Sequence, residues 1–327
     1  MTNTSHTIAD MERDTGLSKD TLRVWERRYG FPTPSRDAQG ERRYDDGQLL
    51  RLRHIRRLID AGHRPGAIVA LPLEDLLALS ADTQGARGGV TGAGASAAPD
   101  QPSEGLPEPL RQWMNLLQRH QTRGLRASIN QYLLANGLSA LVRDGLAPMN
   151  TLVGNYWLEG RLAVFEEHLY TEVVLRVLRQ AISQAAAGRP VQPPMVLLTT
   201  VPGEQHQLGL MMAEAAMVLE GCETLALGVQ TPLPEIAQAA MACQANVVAL
   251  GFSAASAARE ARDALEQLRS LLPAHIEIWT GGQCAGLVRR PRTRDAVAGH
   301  THLARLEAIG EAVARWRAGA MLAGAAP

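Results

Sequence analysis

Apolar positions change their period along the chain. Ile8, Ala9 and Met11 open a short amphipathic helix, Gly16 supplies a turn, and Leu22, Val24 and Trp25 mark a second helix with Ser18 as N-cap. Prolines and Gly40 then punctuate FPTPSRDAQGERRYDD, which predicts a hairpin-like wing, and Asp45 is placed to cap a helix holding LLRLRHIRRLIDAG. Helical spacing returns at Leu110, Trp113, Leu116 and Leu117, then at Leu133, Leu134, Leu138 and Leu141, and LYTEVVLRVLRQAISQAAAG carries it to a stop at Gly188. After Pro194 short β-type runs appear at 195–201, 224–228, 246–251 and 276–282, with helical stretches at 206–220, 233–244, 257–272 and 303–317. Alternation of this length predicts βαβ units, and continuous apolar strands predict a parallel sheet covered on both faces.

Between these regions, 81–107 is dominated by Gly, Ala, Ser and Pro without apolar periodicity. Such a stretch buries too little to offset its ordering entropy, and it predicts a flexible linker. The expected fold class is a multidomain α plus α/β chain. It has a winged helix-turn-helix over 1–80, the linker over 81–107, a four-helix bundle over 108–188, and a doubly wound, Rossmann-like domain over 189–327.

The 46% hydrophobic and 20% charged content of 327 residues suffices for ordinary cores. Lys+Arg and Asp+Glu are equal at 33 each, so any basic surface must be local. No apolar run approaches the ~20 residues of a membrane span, and MTNTSHTIAD lacks a signal peptide's pattern. Cys222, Cys243 and Cys284 form no CxxC pair, which predicts a reduced cytoplasm and thiols serving as small core residues.

The local basic surface is found at once. Lys19, Arg23, Arg27 and Arg28 lie on the second helix, and Arg36, Arg42 and Arg43 on the wing, giving seven Lys/Arg against four Asp/Glu over 19–43. Guanidinium groups pair bidentately with guanine edges and bind phosphates, so double-stranded DNA is the expected partner. Ser18-x-x-Thr21-Leu22-Arg23-x-Trp25-Glu26-Arg27-Arg28-Tyr29-Gly30, followed by Pro32-x-Pro34-x-Arg36 and Arg42-Arg43-Tyr44, resembles the winged helix-turn-helix of MerR-type transcriptional regulators over about 6–75. The resemblance implies Arg23 and Arg27 in the major groove, Arg36, Arg42 and Arg43 on the backbone, and Tyr29 and Tyr44 anchoring phosphates. No cysteine precedes Cys222, which disfavours a thiolate-bound metal effector.

In the α/β region, Glu204-x-His206-x-x-Gly209 puts an imidazole on the loop leaving a parallel strand, with a carboxylate two residues away to accept its second N–H. Gly251 and Ser253 follow the third strand, and Gly281 and Gly282 end the fourth, on the same sheet edge. The set resembles the cobalamin-binding motif of corrinoid enzymes. By that resemblance His206 is the lower axial cobalt ligand and Glu204 its partner; Ser253 touches the displaced dimethylbenzimidazole, and Gly251, Gly281 and Gly282 make room for the nucleotide tail. Ala255 stands where the motif usually carries a larger apolar residue.

Upstream, Trp157 precedes Glu167-His168 by nine intervening residues, placing them about three turns apart on one face if helical throughout, unless Gly160 breaks the segment. The pattern resembles the cap domain of adenosylcobalamin-dependent photoreceptor regulators of the CarH and LitR type, in which the Trp packs against the adenosyl group and the Glu-His pair lines the same pocket. This resemblance implies a light-responsive repressor, not an enzyme, that binds operator DNA in the dark as a homo-oligomer, dimer or tetramer, with adenosylcobalamin as cofactor. Leu158 stands where the best-known photoreceptors carry a second cobalt-capturing histidine, so a light-independent cobalamin sensor is the alternative. A mutase or methyltransferase is disfavoured because no ~200–250 residues remain for a substrate barrel.

Overall fold

A computed structural model describes residues 5–60, 63, 65–85, 106–159, 161–254, 256–288 and 300–324. The chain divides into two compact units, 1–106 with Val153–Val164, and 107–152 with 165–327.

In the first unit β1 (His6–Thr7) leads into α1 (Ile8–Thr15) through a reciprocal cap, the Thr7 hydroxyl accepting from Asp10 N and the Asp10 carboxylate accepting from Thr7 N. Gly16, at φ 67°, ends α1 in the left-handed conformation that glycine adopts without a Cβ penalty. Ser18 caps α2 (Lys19–Tyr29) by accepting from Thr21 N at 3.1 Å. The wing is β2 (Ser35–Arg36) against β3 (Arg42–Tyr44), and β1 pairs with the other side of β3. Asp45 starts α3 (Asp46–Asp60), its carboxylate accepting from Gln48 N at 2.8 Å. Met11, Leu22, Trp25, Leu52, Ile55 and Leu58 form the core. After α4 (Pro65–Ile68), α5 (Leu73–Gly85) continues past Ala81, the expected start of the linker. No Gly or Pro interrupts 81–84, so the helix runs until Gly85. The rest of that stretch, 86–105, lies outside the described residues.

The helical part comprises α6 (Leu110–Gln118), α7 (Thr122–Ala140), a π-helical turn at Leu141–Leu146, α8 (Ala147–Leu158) and α9 (Val164–Ala187). Trp113 is its buried centre, donating from Nε1 to Ser128 Oγ at 3.0 Å and meeting Tyr132 edge-on. A Cβ on Gly145 would lie 2.9 Å from the Trp113 ring. Gly145→Ala is therefore expected to destabilise the helical part by about 1–3 kcal/mol in chemical denaturation, through overpacking. Leu134, expected on the apolar face, is 87% exposed, because it follows buried Ile129 by five residues and points about 140° away from that stripe.

The sheet is five-stranded and parallel in the order β5-β4-β6-β7-β8, from β4 (Gln192–Thr199), β5 (Cys222–Gly228), β6 (Val247–Phe252), β7 (Glu277–Gly282) and β8 (His300–Leu303). Leu197, Val248 and Ile278 pack with residues of α11 (Leu233–Ala242) and α12 (Ala258–Leu271). Val196, Leu198, Val247 and Trp279 pack with residues of α10 (Gln207–Leu219) and α14 (Ala308–Gly324). The sheet is thus covered on both faces. β8 was not expected: HTHL is short and polar, and the helix placed from 303 begins only at Ala308. A short helix, α13 (Ala285–Val288), follows β7. Cys222 and Cys284 are buried, whereas Cys243, expected in the core, is exposed at the end of α11.

Candidate functional site

This strand order reverses direction between β4 and β6, and open α/β sheets bind ligands in the crevice outside the carboxyl ends at such a point. The loop leaving β4 is held by Thr200, whose hydroxyl donates to the Glu204 carbonyl at 2.6 Å and accepts from Gln230 N at 2.8 Å. Its buried carboxylate, Glu204, gathers donors from two loops. Oε1 accepts from His206 N at 2.9 Å and from His206 Nδ1 at 2.6 Å. Oε2 accepts from Ser253 N and Ser253 Oγ, each at 2.8 Å, and from Ser256 Oγ. Burial alone would raise this carboxyl, but hydrogen bonds from the His206 ring, Ser256 and the His206 and Ser253 N–H groups outweigh it and hold the pKa near 2. A depressed carboxylate stabilises the fold above its unfolded pKa and loses that contribution as pH falls through the folded one. The ligand-free chain is therefore expected to lose stability between pH 4.5 and about pH 2 in a step that Glu204→Gln removes, read by denaturant midpoints across that range.

With Nδ1–H donated to a carboxylate, the neutral imidazole carries its lone pair on Nε2, and the His206 side chain is 64% exposed. Among the described residues no group of three or more His, Cys, Asp or Glu side chains is arranged to hold a metal ion. A single oriented imidazole suits a metal that arrives with its other ligands, as cobalt does in a corrin.

Gly251 pairs with Gly281 and Phe252 with Gly282 across β6 and β7. Gly282 has φ 107°, and a Cβ there would lie 2.0 Å from the Phe252 carbonyl oxygen, so the β6 backbone itself demands this glycine. A Cβ on Gly251 would meet Thr200 Cγ2 at an ordinary 3.5 Å, and on Gly209, in α10, nothing within 4 Å. Ser253, expected against the displaced base, spends both its N–H and its hydroxyl on Glu204. Ala255 lies outside the described residues.

Trp157 is in the last turn of α8, within the segment grouped with the first unit. There its ring lies 4.9 Å from the Arg53 guanidinium, and its carbonyl accepts from Arg53 Nη1 at 3.3 Å. Glu167 and His168 stand in the first turns of α9, in the second unit, joined to each other at 2.8 Å, with His168 70% exposed. The helix between Trp157 and His168 is not continuous: α8 stops at Leu158 and α9 starts at Val164, so the one-face spacing does not apply. Gly160 itself lies outside the described residues.

On the first unit, Arg23, Arg27 and Arg28 project from α2 into solvent, with Lys19 tied to Glu12 and Arg23 to Asp20. Arg28 lies over the half-buried Tyr29 ring. On the wing, Arg42 is paired with Glu26 of α2 at 2.9 Å, Arg43 with Asp37 at 2.9 Å, and Arg36 donates to the Gly40 carbonyl. Tyr44 departs from its expected role. It is 1% exposed inside the core, its phenol pushed up by burial, and it presents nothing to a phosphate.

Residues 6–71 match the MerR HTH family regulatory proteins, and residues 110–182 match the B12 binding domain. The chain joins a MerR-type DNA-binding domain to a B12-binding domain. The MerR-type, B12-binding chain is 29% identical over 271 residues to the HTH-type transcriptional repressor CarH of Myxococcus xanthus, covering 83% of this chain and 86% of CarH. It is also 29% identical over 272 residues to the repressor CarA of the same organism, covering 81% and 83%. Among solved structures, the monomethylamine corrinoid protein of Methanosarcina barkeri aligns with 63% of this chain and 96% of its own, at TM-score 0.49 and 13% identity.

In this MerR-type chain, sequence reasoning missed Ser256 and Arg53. Ser256 was legible as the second serine of GFSAAS, but a serine ahead of a helix reads first as a cap. Arg53 carries no signal in LLRLRHIRRL, because its burial depends on the distant segment holding Trp157. No helix among the described residues is long and apolar enough to cross a membrane.

Proposed function

We propose that the chain is a cobalamin-dependent, light-responsive transcriptional repressor and not an enzyme. The observation that carries the reading is the Glu204–His206 pair at the carboxyl edge of the sheet, in a chain that also holds a MerR-type domain. His206 would hold the cobalt, Glu204 would fix its tautomer, and Ser253 would keep Glu204 in place. Gly209, Gly251, Gly281 and Gly282 are assigned to room for the cofactor on the resemblance alone, and the observed reason for Gly282 is the Phe252 backbone. Trp157, Glu167 and His168 are assigned to the upper ligand on the resemblance alone. Adenosylcobalamin, when bound, would supply a light-sensitive cobalt–carbon bond. The division at 1–80, 81–107, 108–188 and 189–327 is proposed on the sequence pattern, whereas α5 carries the first part to 85 and the compact units place Val153–Val164 with the first part and the rest of 108–188 with 189–327.

The repressor role is taken from the likeness to CarH and CarA. Operator DNA is read by Arg23 and Arg27 of α2, supported by Lys19, Arg28 and Tyr29, with the wing's Arg36, Arg42 and Arg43 on the backbone. The cofactor shifts the equilibrium toward a homo-oligomer only by binding the assembled state better. Leu158 beside Trp157 favours a second reading, a cobalamin sensor indifferent to light.

One experiment separates them. Protein reconstituted with adenosylcobalamin is run on size exclusion and on operator DNA, dark and after green light. The main reading expects a dark oligomer bound to DNA and its loss on illumination; identical dark and light behaviour supports the second. His206→Ala is expected to abolish the His-ligated spectrum, and an unchanged spectrum overturns the ligand assignment. Arg27→Ala is expected to weaken operator binding and, where a phosphate contact is lost, to reduce the slope of log K against log salt by about 1.

A further inference from the structure

The match to the B12 binding domain, residues 110–182, includes Val153–Val164, yet that segment belongs to the compact unit of the MerR-type domain. The boundary falls inside α8, between Leu152 and Val153. One stretch of the cofactor-binding match is therefore lent to the DNA-binding unit. It is a preformed body and not loose chain. The Tyr156 carbonyl accepts from Arg161 N at 2.8 Å and from Leu162 N at 3.1 Å, which closes the end of α8. The Arg161 guanidinium lies over the Tyr156 ring, and Val153, Tyr156 and Leu162 are buried.

The contact that holds this body is only partly satisfied. Arg53 and His54, adjacent on α3, are both buried. Arg53 places its guanidinium 4.9 Å from the half-buried Trp157 ring and donates from Nη1 to the Trp157 carbonyl at a long 3.3 Å. Arg53 Nε and His54 Nδ1 are buried with no hydrogen-bond partner among the described residues. A polar atom buried in this way gives up hydration without replacement. The contact thus gains a ring face and a carbonyl and loses on two neighbouring nitrogens. An element held by so small a difference changes sides for a modest competing gain.

We propose that Val153–Val164 is a shared element: without cofactor it is docked on α3 through Trp157 and Arg53, and cobalamin binding draws it off. This rests on the reading of the chain as cobalamin-dependent. Docking withholds part of the cofactor domain, so the apparent affinity for cobalamin is reduced to the fraction of chains in which the segment is free. By linkage the cofactor weakens docking by the same factor, and α3 carries the presence of cobalamin to the DNA-binding unit.

The test uses the full chain and adenosylcobalamin in the dark. Binding is titrated by absorbance, and hydrogen exchange mass spectrometry follows the α3 peptides with and without cofactor. In wild type, saturation with cofactor is expected to speed exchange across α3 as Arg53 and His54 lose their cover. Arg53→Ala is expected to show the fast pattern before cofactor is added and to bind cofactor about 5-fold more tightly. A purely structural arginine predicts the opposite, affinity unchanged or weakened. Thermal melting of the cofactor-free variants monitors folding, and Arg53→Gln, which keeps part of the stem without the charge, replaces Arg53→Ala should that variant not fold. Unchanged or slower α3 exchange in saturated wild type, or a folded variant that binds no more tightly, overturns the proposal while the cobalamin reading stands. No binding of adenosylcobalamin by wild type overturns both.

Discussion

Gly282→Ala is expected to cost the C-terminal unit more than about 3 kcal/mol, enough to leave much of it unfolded at ordinary temperature. The added Cβ would stand 2.0 Å from the Phe252 carbonyl oxygen and 2.9 Å from its carbon, and both are backbone atoms of the adjacent strand. A side chain can swing aside, whereas the β6 backbone is locked in the ladder by Gln283 N donating to that same oxygen at 3.0 Å. The positive φ of 107° adds strain of ~1–3 kcal/mol for any residue with a Cβ. Gly203→Ala is the control, since Gly203 has φ 86° but nothing within 4 Å of its Cβ position. Urea unfolding of both variants measures the clash alone. Equal losses would mean that only backbone conformation matters at Gly282 and that β6 and β7 can part.

The reason for Gly282 illustrates what the sequence made legible. The motif spacing located the glycine pair and the Glu204–His206 pair correctly on one sheet edge, because both are local patterns attached to strand ends. Why each residue is there depended on neighbours distant in sequence. Gly282 answers to Phe252, and Ser253 and Ser256 answer to Glu204, about fifty residues upstream. The N-terminal fold was readable to the residue at Ser18, Gly16 and Asp45, since caps and turns are short-range chemistry. Tyr44 failed for the opposite reason. Its place beside Arg42 and Arg43 made it look like a phosphate contact, while strand alternation turned its ring into the core. β8 was illegible because a four-residue strand with two histidines has no hydrophobic period to detect.

Arg53 offers the other large effect, and its sign depends on the replacement. Its side chain comes from α3 and is 7% exposed, with the guanidinium over the Trp157 ring and one nitrogen donating to the Trp157 carbonyl. Nε is buried and has no hydrogen-bond partner among the described residues. Burial lowers the pKa of this cation, and the charges of Asp14 and Asp46 oppose that shift. The charge therefore gives up hydration for one carbonyl and one ring face, whereas the stem fills space. Arg53→Met keeps most of the stem and removes the desolvated charge, and buried charges replaced by apolar residues of similar length are often neutral or stabilising. Arg53→Ala removes the stem as well, exposes one face of Trp157 and leaves its carbonyl without that donor. The alanine variant is expected to be less stable than the methionine variant by about 2 kcal/mol. It is also expected to show faster amide exchange across Val153–Val164, the segment that this contact ties to the first unit. Denaturation of the full chain and exchange mass spectrometry of those peptides measure the two effects together. Should methionine cost as much as alanine, the contact depends on the charge over the indole ring and not on the buried stem.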